Sequence, residues 1–324
     1  MLADVSAAPA APVPDSASDL PSHPLTGHEV RLRHGSYTAS VVTLGASLRA
    51  LEHDGRPLVV GFAVDALRPV FRGALLAPWP NRVVDGRYTF DGQEQQLALS
   101  EPDRGHALHG LLGWTDWEVA SVAEDATTLT AELAPSAGYP HRLALTCTYR
   151  LSDDGLTTTV TARSLHGRAP YGVSAHPYLT AGGALLDACV LTLPADRYVA
   201  TSGERLLPAG ERDVTDAAWP DFREPTAIGS ARVDHAFTGL RPGADGRARV
   251  RLEGPDGFAV EMTWGAELGW VQVHTADRPE AELHRAGLAV EPMTCPPDAF
   301  STGEDVVVLE DGGRHSASWT IAAG

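Results

Sequence analysis

Lysine is absent from this chain of 324 residues, and all 25 basic residues are arginines. The absence excludes reactions that form a Schiff base on lysine, and it excludes a P-loop, which requires Gly-Lys-Ser/Thr. The formal net charge is −17 and no basic tract occurs. This balance argues against nucleic acid as a partner.

Cysteine is also scarce, and no Cys-x-x-Cys occurs among Cys147, Cys189 and Cys295. A disulfide framework and a zinc ribbon are therefore disfavoured, and a reducing, cytoplasmic environment is expected. Long apolar runs are missing too, since none approaches the roughly 18 residues that cross a bilayer. We therefore expect no membrane partner.

The first 24 residues are rich in Ala, Pro and Ser and nearly free of large apolar side chains. Such a segment buries too little surface to offset its ordering entropy, so it is predicted to be a disordered leader. It has neither the basic start nor the apolar stretch of a secretory signal. No clear linker divides the remainder, so residues 25–324 are predicted to form one domain.

Period-two alternation dominates the remainder of the chain. Residues 143–151 alternate Leu, Leu, Cys, Tyr and Leu with smaller or polar residues, and 258–264 behave similarly. Such alternation is typical of half-buried strands. Asp-Gly occurs seven times, often between strand-like runs, and favours the type I′ turn of β-hairpins. The sequence predicts an all-β fold, a large antiparallel β-sandwich.

The stretch 77–90, APWPNRVVDGRYTF, is the first of three in which polar residues interrupt this pattern. Arg82, with Asn81 before it, is suited to hydrogen-bonding substrate hydroxyls, and Trp79 to stacking on a sugar face. The structural alternative is a loop whose arginine pairs with a surface carboxylate.

The stretch 106–110, HALHG, holds a His-x-x-His pair. In a strand, positions i and i+3 lie on opposite faces, so His106 and His109 do not converge on a metal. A third ligand at a recognisable spacing is missing as well, and no metal is expected. His109 is the better candidate for a site residue, because Gly110 permits close backbone approach.

The third stretch is YGVSAHPYL, residues 171–179. Pro177 holds His176 extended, and the small residues before it leave room for an imidazole facing a groove. A catalytic histidine and a satisfied core histidine both remain open. Glu291 ends an apolar run, where a carboxylate is costly unless paired or used. Asp234 is equally explained by a turn cap.

Taken in order, these segments resemble the aldose 1-epimerase (galactose mutarotase) family. The matching pieces are NRVVDGRYTFDG, ALHGLLGW, GVSAHPYL, VDHAF and AVEPMTCPPDAF. The resemblance runs from about Leu25 to the C-terminus. PWPNR and VEPMTCPPDAF look most like a bacterial subgroup whose best-known branch acts on a sulfonated glucose. Leu179 is a departure, since many relatives have Phe after His-Pro-Tyr, and it puts substrate identity in doubt.

The resemblance implies a galactose mutarotase-like super-sandwich with a sugar cleft, and an aldose 1-epimerase that interconverts anomers without a cofactor. It implies that Glu291 is the general base and His176 the general acid. His109 and Arg82 correspond to groups that position the sugar and its ring oxygen, and Asp234 to an acceptor of hydroxyl hydrogen bonds. The implied partner is a small-molecule sugar, and the chain is a monomer or a homodimer.

Three other readings remain open. An anionic, phosphorylated or sulfonated sugar requires an arginine cluster, for which Arg72, Arg82 and Arg104 are available. A non-catalytic sugar-binding protein can use the same fold. A glycosidase with Asp234 and Glu291 as its carboxylate pair depends on their separation.

Overall fold

Strands are the dominant regular element of the computed structural model, which describes residues 24–324. The predicted leader, residues 1–24, lies outside the described residues apart from Pro24. In the described part, the helices are one α-helix, α1 (Ala299–Thr302), and two 3₁₀ turns, Leu186–Ala188 and Val214–Asp216. None of the helices within residues 24–324 has the length and apolar character to cross a bilayer.

The strands are, in chain order, β1 (Glu29–His34), β2 (Tyr37–Val42), β3 (Ser47–His53), β4 (Arg56–Pro57), β5 (Leu75–Leu76), β6 (Arg82–Val84), β7 (Arg87–Phe90), β8 (Gln93–Gln96), β9 (His106–Leu108), β10 (Glu118–Val122), β11 (Ala126–Leu133), β12 (Arg142–Ser152), β13 (Gly155–His166), β14 (Ala169–Tyr171), β15 (Ser174–Ala175), β16 (Tyr178–Leu179), β17 (Val190–Thr192), β18 (Ala195–Ser202), β19 (Leu207–Asp213), β20 (Thr226–Ala227), β21 (Asp234–Leu240), β22 (Ala248–Glu253), β23 (Ala259–Trp264), β24 (Trp270–His274), β25 (Leu288–Met293), β26 (Val307–Leu309) and β27 (Arg314–Ala323).

Two large sheets organise these strands. One has nine strands in the order β10-β11-β12-β13-β27-β23-β22-β17-β20, and the other has six, in the order β16-β25-β24-β21-β18-β19. A four-stranded sheet and several two-stranded ribbons complete the fold. The main apolar cluster joins residues of both large sheets, such as Leu145 and Trp319 of the first and Phe237 and Val271 of the second. The predicted all-β antiparallel sandwich is confirmed.

Strand β12 shows why the sequence pattern identifies this fold. Leu143, Leu145, Cys147 and Tyr149 are buried, whereas the residues between them are only half-buried. A strand turns successive side chains to opposite faces, so this alternation places one face in the core and the other towards solvent.

The Asp-Gly turns follow the prediction in part. Both residues have positive φ, as a type I′ turn requires, at 54–55, 85–86 and 91–92. At the other four positions only the glycine has positive φ. The hairpin β7–β8, with Phe90 opposite Gln93, is one of those that the sequence predicts.

The six-stranded sheet has two faces of different chemistry. Val271, Val273 and Val290 belong to the main apolar cluster. The residues that alternate with them on β24 and β25, Gln272 and Glu291, therefore point to the opposite face. That outer face carries the candidate site.

Candidate active site

The floor of the site consists of side chains on three adjacent strands. In the strand register, Gln272 lies opposite Glu291, and Asp234 lies opposite His274. The Gln272 amide donates a hydrogen bond from Nε2 to Asp234 Oδ1 over 2.7 Å. Facing residues on neighbouring strands lie within reach of each other, so the register alone brings these four groups together.

The ribbon of β6 and β9 supplies a second wall. Asn81 donates from Nδ2 to Gln272 Oε1 over 3.1 Å, which extends the floor's hydrogen-bond chain from Asp234 through Gln272 to Asn81. The backbone N–H of His109 donates to the Asn81 carbonyl over 2.9 Å. Asn81 and His109 both have positive φ, so the loops on this wall, not the strands, aim these side chains.

Arg82 is held by a carboxylate behind it. Its Nε and Nη2 donate to the two oxygens of Glu101 over 2.7 and 3.0 Å, and Arg104 also donates to Glu101 over 2.7 Å. Burial alone lowers the pKa of Arg82, but the bonds with Glu101 outweigh it and the pKa is raised. Arg82 is therefore a fixed, permanently charged group at the cavity edge.

His176 is held by backbone bonds and by an aromatic neighbour. Its N–H donates to the Ala74 carbonyl over 2.9 Å, and its ring stacks on Tyr178 with centroids 5.1 Å apart. Its Nε2 lies 3.3 Å from Glu291 Oε1. Within residues 24–324, Nδ1 of this ring has no hydrogen-bond partner. His176 therefore differs from a satisfied core histidine.

These walls enclose a cavity of about 440 Å³. The lining is mostly polar and charged, and it includes the predicted residues Asn81, Arg82, His109, His176, Asp234 and Glu291. At its base, Glu291 is 2% and His176 5% exposed. Residues that are far apart in the sequence thus converge on one chamber that is large enough for a small polar ligand.

Burial moves the pKa values of the acidic and basic groups in opposite directions. It raises the pKa of Glu291 well above its usual range, with a contribution from the charge of Asp234, while Arg82 pulls the pKa down. Burial lowers the pKa of His176 to about 3 and that of His109 well below its usual value. The cause is the same in each case, because a low-dielectric site disfavours whichever form is charged.

The prediction that Trp79 stacks on a sugar face is wrong. Its indole is 2% exposed and packs near Tyr139 and Phe300, and the cavity lining does not include it among the described residues. A ring that is enclosed by core side chains cannot stack on a sugar. Its place between two prolines serves packing.

The prediction that Arg72 is available to an anionic sugar is also wrong. This residue is buried, donates from Nη1 to the Gly61 carbonyl, and lies with its guanidinium 5.2 Å from the centre of the Tyr178 ring. It does not line the cavity within the described part of the chain. The arginines that do are Arg82, Arg104, Arg232 and Arg278.

Sequence reasoning missed several lining residues, above all Gln272, His274 and Arg278. The first two had a detectable signal: in WVQVH, polar residues occupy alternate positions of an otherwise apolar strand. That pattern indicates a polar ligand or partner on one face. Arg278 lies in a loop and carries no comparable signal.

Three donors could also hold a metal. Nitrogens of His109 and His176 and an oxygen of Glu291 all lie within 4.8 Å of one another. His106, the other member of the His-x-x-His pair, points elsewhere and contacts the Arg205 carbonyl through Nε2 over 2.8 Å.

Replacing Gly110 with alanine should destabilise the fold more than the same change at Gly92. A Cβ at Gly110 would lie 2.2 Å from the Ala77 carbonyl oxygen, whereas one at Gly92 would meet nothing within 4 Å. Both glycines have positive φ, so alanine costs about 1–2 kcal/mol at either position. The clash should add about 1–3 kcal/mol for Gly110→Ala only. Urea unfolding of both variants measures the difference, and equal losses would contradict the close approach.

The pKa of His176 leads to a prediction about acid stability. The folded chain keeps this ring neutral down to a pKa of about 3, whereas the unfolded chain protonates it at about 6.5. Between pH 7 and pH 5 this histidine binds a proton in the unfolded state but not in the folded state. As the pH falls from 7 to 5, its contribution therefore lowers the free energy of unfolding by about 2 kcal/mol.

In His176→Asn that loss disappears, so the decrease in stability from pH 7 to pH 5 should be about 2 kcal/mol smaller than in the wild type. Urea unfolding at both pH values measures it. His166→Asn, at an exposed position, is the control and should behave as the wild type. Identical acid sensitivity of all three proteins is the contrary result.

Comparison with known proteins shows which family this chain resembles. The sequence model of the family described as "Aldose 1-epimerase" matches residues 28–322. The uncharacterized protein YihR of Escherichia coli (strain K12) is 36% identical over 298 residues, which cover 91% of this chain and 93% of that protein. Galactose mutarotase of Sus scrofa is 27% identical over 238 residues, 68% of each chain.

Solved structures show the same fold. The GalM/aldose epimerase homologue from C. elegans superimposes with a TM-score of 0.79 at 19% identity, covering 91% of this chain and 98% of that one. Galactose 1-epimerase from Lactobacillus acidophilus NCFM gives a TM-score of 0.76 at 19% identity, covering 91% and 94%. On the match of nearly its whole described length, this chain belongs to the aldose 1-epimerase family.

Proposed function

We propose that this protein is a mutarotase, which interconverts the α and β anomers of a free aldose by opening and reclosing the sugar ring. The observation that carries the proposal is the pair of Glu291 and His176, which lie 3.3 Å apart at the base of a polar cavity. A cyclic aldose is a hemiacetal. Its opening requires one proton to leave the anomeric hydroxyl and another to reach the ring oxygen, and such a pair supplies both transfers.

In the proposed reaction Glu291 accepts the proton of the anomeric hydroxyl. The bond between C1 and the ring oxygen breaks as that oxygen takes a proton from His176. Rotation about the C1–C2 bond presents the other face of the aldehyde, and the same transfers in reverse close the ring. Every atom and proton returns to its place, so the cycle consumes no co-reactant.

The raised pKa of Glu291 suits the role of base, because a carboxylate of ordinary pKa is a weak base at neutral pH. A general acid must carry a proton, yet burial lowers the pKa of His176 to about 3, so the free imidazole is neutral near pH 7. We infer that the two groups act as one unit sharing a proton. The bound sugar and Arg82 then stabilise the arrangement in which His176 carries it.

The remaining polar groups hold the sugar. Asp234 accepts a hydrogen bond from Gln272 and is 37% exposed, so it keeps capacity to accept from sugar hydroxyls. Arg82 and His109 lie on the opposite wall, where they can bond the ring oxygen and its neighbours. Loss of such contacts should weaken binding more than turnover.

The test is polarimetry on freshly dissolved α-D-glucose and α-D-galactose. The wild type should accelerate the approach to the equilibrium rotation. Glu291→Gln should lower kcat by about 10²–10⁴-fold, since it keeps the shape of the side chain and removes the base. Glu132→Gln, at an exposed position near the C-terminal end of β11, is the control and should retain wild-type activity.

Sugar binding by each variant, measured by calorimetry, separates chemistry from folding and binding. Glu291→Gln that binds sugar but does not turn it over supports the role of Glu291. Near-full activity of that variant would remove Glu291 from the reaction. A wild type that binds aldoses without accelerating mutarotation would instead indicate the non-catalytic sugar-binding alternative.

One observation favours an anionic aldose as the substrate. Arg278 lines the cavity, and its Nε is buried without a hydrogen-bond partner among residues 24–324. Arg82 and Arg104, by contrast, share the carboxylate of Glu101. The free Nε of Arg278 can therefore donate to a further acceptor, and a guanidinium is suited to a phosphate or sulfonate on the sugar.

If the natural substrate is anionic, Arg278→Gln should lower kcat/KM for a phosphorylated or sulfonated aldose by more than about tenfold, while galactose turnover changes little. Arg232→Gln is the control. It removes the same charge from a side chain at the cavity lining that is 81% exposed, and its effect should be small. Anomeric-exchange NMR measures both sugars. Equal losses for the neutral and the anionic sugar would contradict the anionic reading.

A further inference from the structure

Three buried side chains at the base of the cavity have polar atoms that form no hydrogen bond with the described residues. They are His109 after β9, His176 after β15, and Glu291 in β25. Each has one buried polar atom without a hydrogen-bond partner in the described part of the chain, namely Nδ1 of the two histidines and Oε2 of Glu291. Buried polar atoms are normally paired, so the protein does not use the full binding capacity of these side chains. In His176 the unpaired atom is Nδ1, and the atom that faces Glu291 is Nε2.

The spacing of the donors suits a small divalent cation. Zinc binds histidine nitrogen and carboxylate oxygen at about 2.0–2.2 Å, which puts two tetrahedral ligands roughly 3.4 Å apart. Glu291 Oε1 and His176 Nε2 lie 3.3 Å apart, and a nitrogen of His109 completes a set within 4.8 Å. Side-chain movements of about 1 Å therefore complete a site with two histidines, one carboxylate and an open fourth position facing the cavity.

We propose that His109, His176 and Glu291 bind one zinc ion, and that the ion competes with the sugar by occupying the acid–base pair. The ion is an inhibitor in this inference, since coordinated Glu291 and His176 cannot exchange protons with a sugar. The donor set itself exists whether or not the protein is a mutarotase.

Electrostatics sets the conditions for binding. Arg82 and Arg278 are close enough to interact with the Glu291 charge, and their positive charges oppose the ion. Affinity should therefore be lower than that of a dedicated zinc site.

The experiment uses cobalt as a spectroscopic probe. The full chain is treated with chelator and titrated with Co²⁺ at pH 7, and visible ligand-field absorption is followed. One tetrahedral cobalt per chain, displaced by an equivalent of Zn²⁺, is the expected result. No absorption change, or an octahedral spectrum typical of water ligands, would overturn the proposal.

Variants assign the site. Glu291→Gln, His109→Gln and His176→Gln should each weaken cobalt binding by at least about tenfold, because loss of a ligand costs no less than loss of its supporting contacts. His235→Gln is the control, because His235 also lines the cavity but lies outside the donor set. Circular dichroism checks that each variant folds, and any that folds carries the test. Unchanged binding in the folded ligand variants, or equal loss in the control, would place the metal elsewhere.

Discussion

The contact between Glu291 and His176 depends on the strand register at one edge of the six-stranded sheet. β16 pairs with β25 so that Tyr178 lies opposite Ala289, and the residue two positions before Tyr178 then lies beside Glu291. A shift of one residue in β25 would turn Glu291 into the apolar core and Val290 into the cavity. Burying a carboxylate in that core is costly, so the shifted register is disfavoured. The observed register is also the one that places Glu291 in the site.

The same enclosure that makes the site chemically useful also makes it electrostatically costly. Low dielectric raises the proton affinity of Glu291 and lowers that of His176, which draws the two groups towards sharing a proton. Around them, Arg82 is held by hydrogen bonds to Glu101, whereas Nε of Arg278 has no hydrogen-bond partner in the described residues. The cavity thus combines a buried carboxylate–imidazole pair with a guanidinium nitrogen that is free to bind a further acceptor.

Two of the residues that line the site have strained backbone. Asn81 and His109 have φ of 52° and 61°, in the left-handed region that side chains rarely adopt. Each such residue costs of order 1–3 kcal/mol and persists only when the surroundings hold it. The hydrogen bond from His109 to Asn81 and the close approach of Gly110 to Ala77 provide that hold. Local preference and global fold disagree here, as is expected at a functional site.

The sequence by itself determined the all-β class, the hairpins at several Asp-Gly turns, and six of the residues that line the candidate site, because period-two burial, turn chemistry and short motifs are local properties of the chain. Tertiary structure alone decided that Trp79 lies in the core and that Arg278 replaces Arg72 among the cavity arginines. It also decided the pairing of Glu291 with His176. Which face a loop residue presents, and what lies opposite it, depends on strand register and on packing between distant segments, and local sequence carries little of that information.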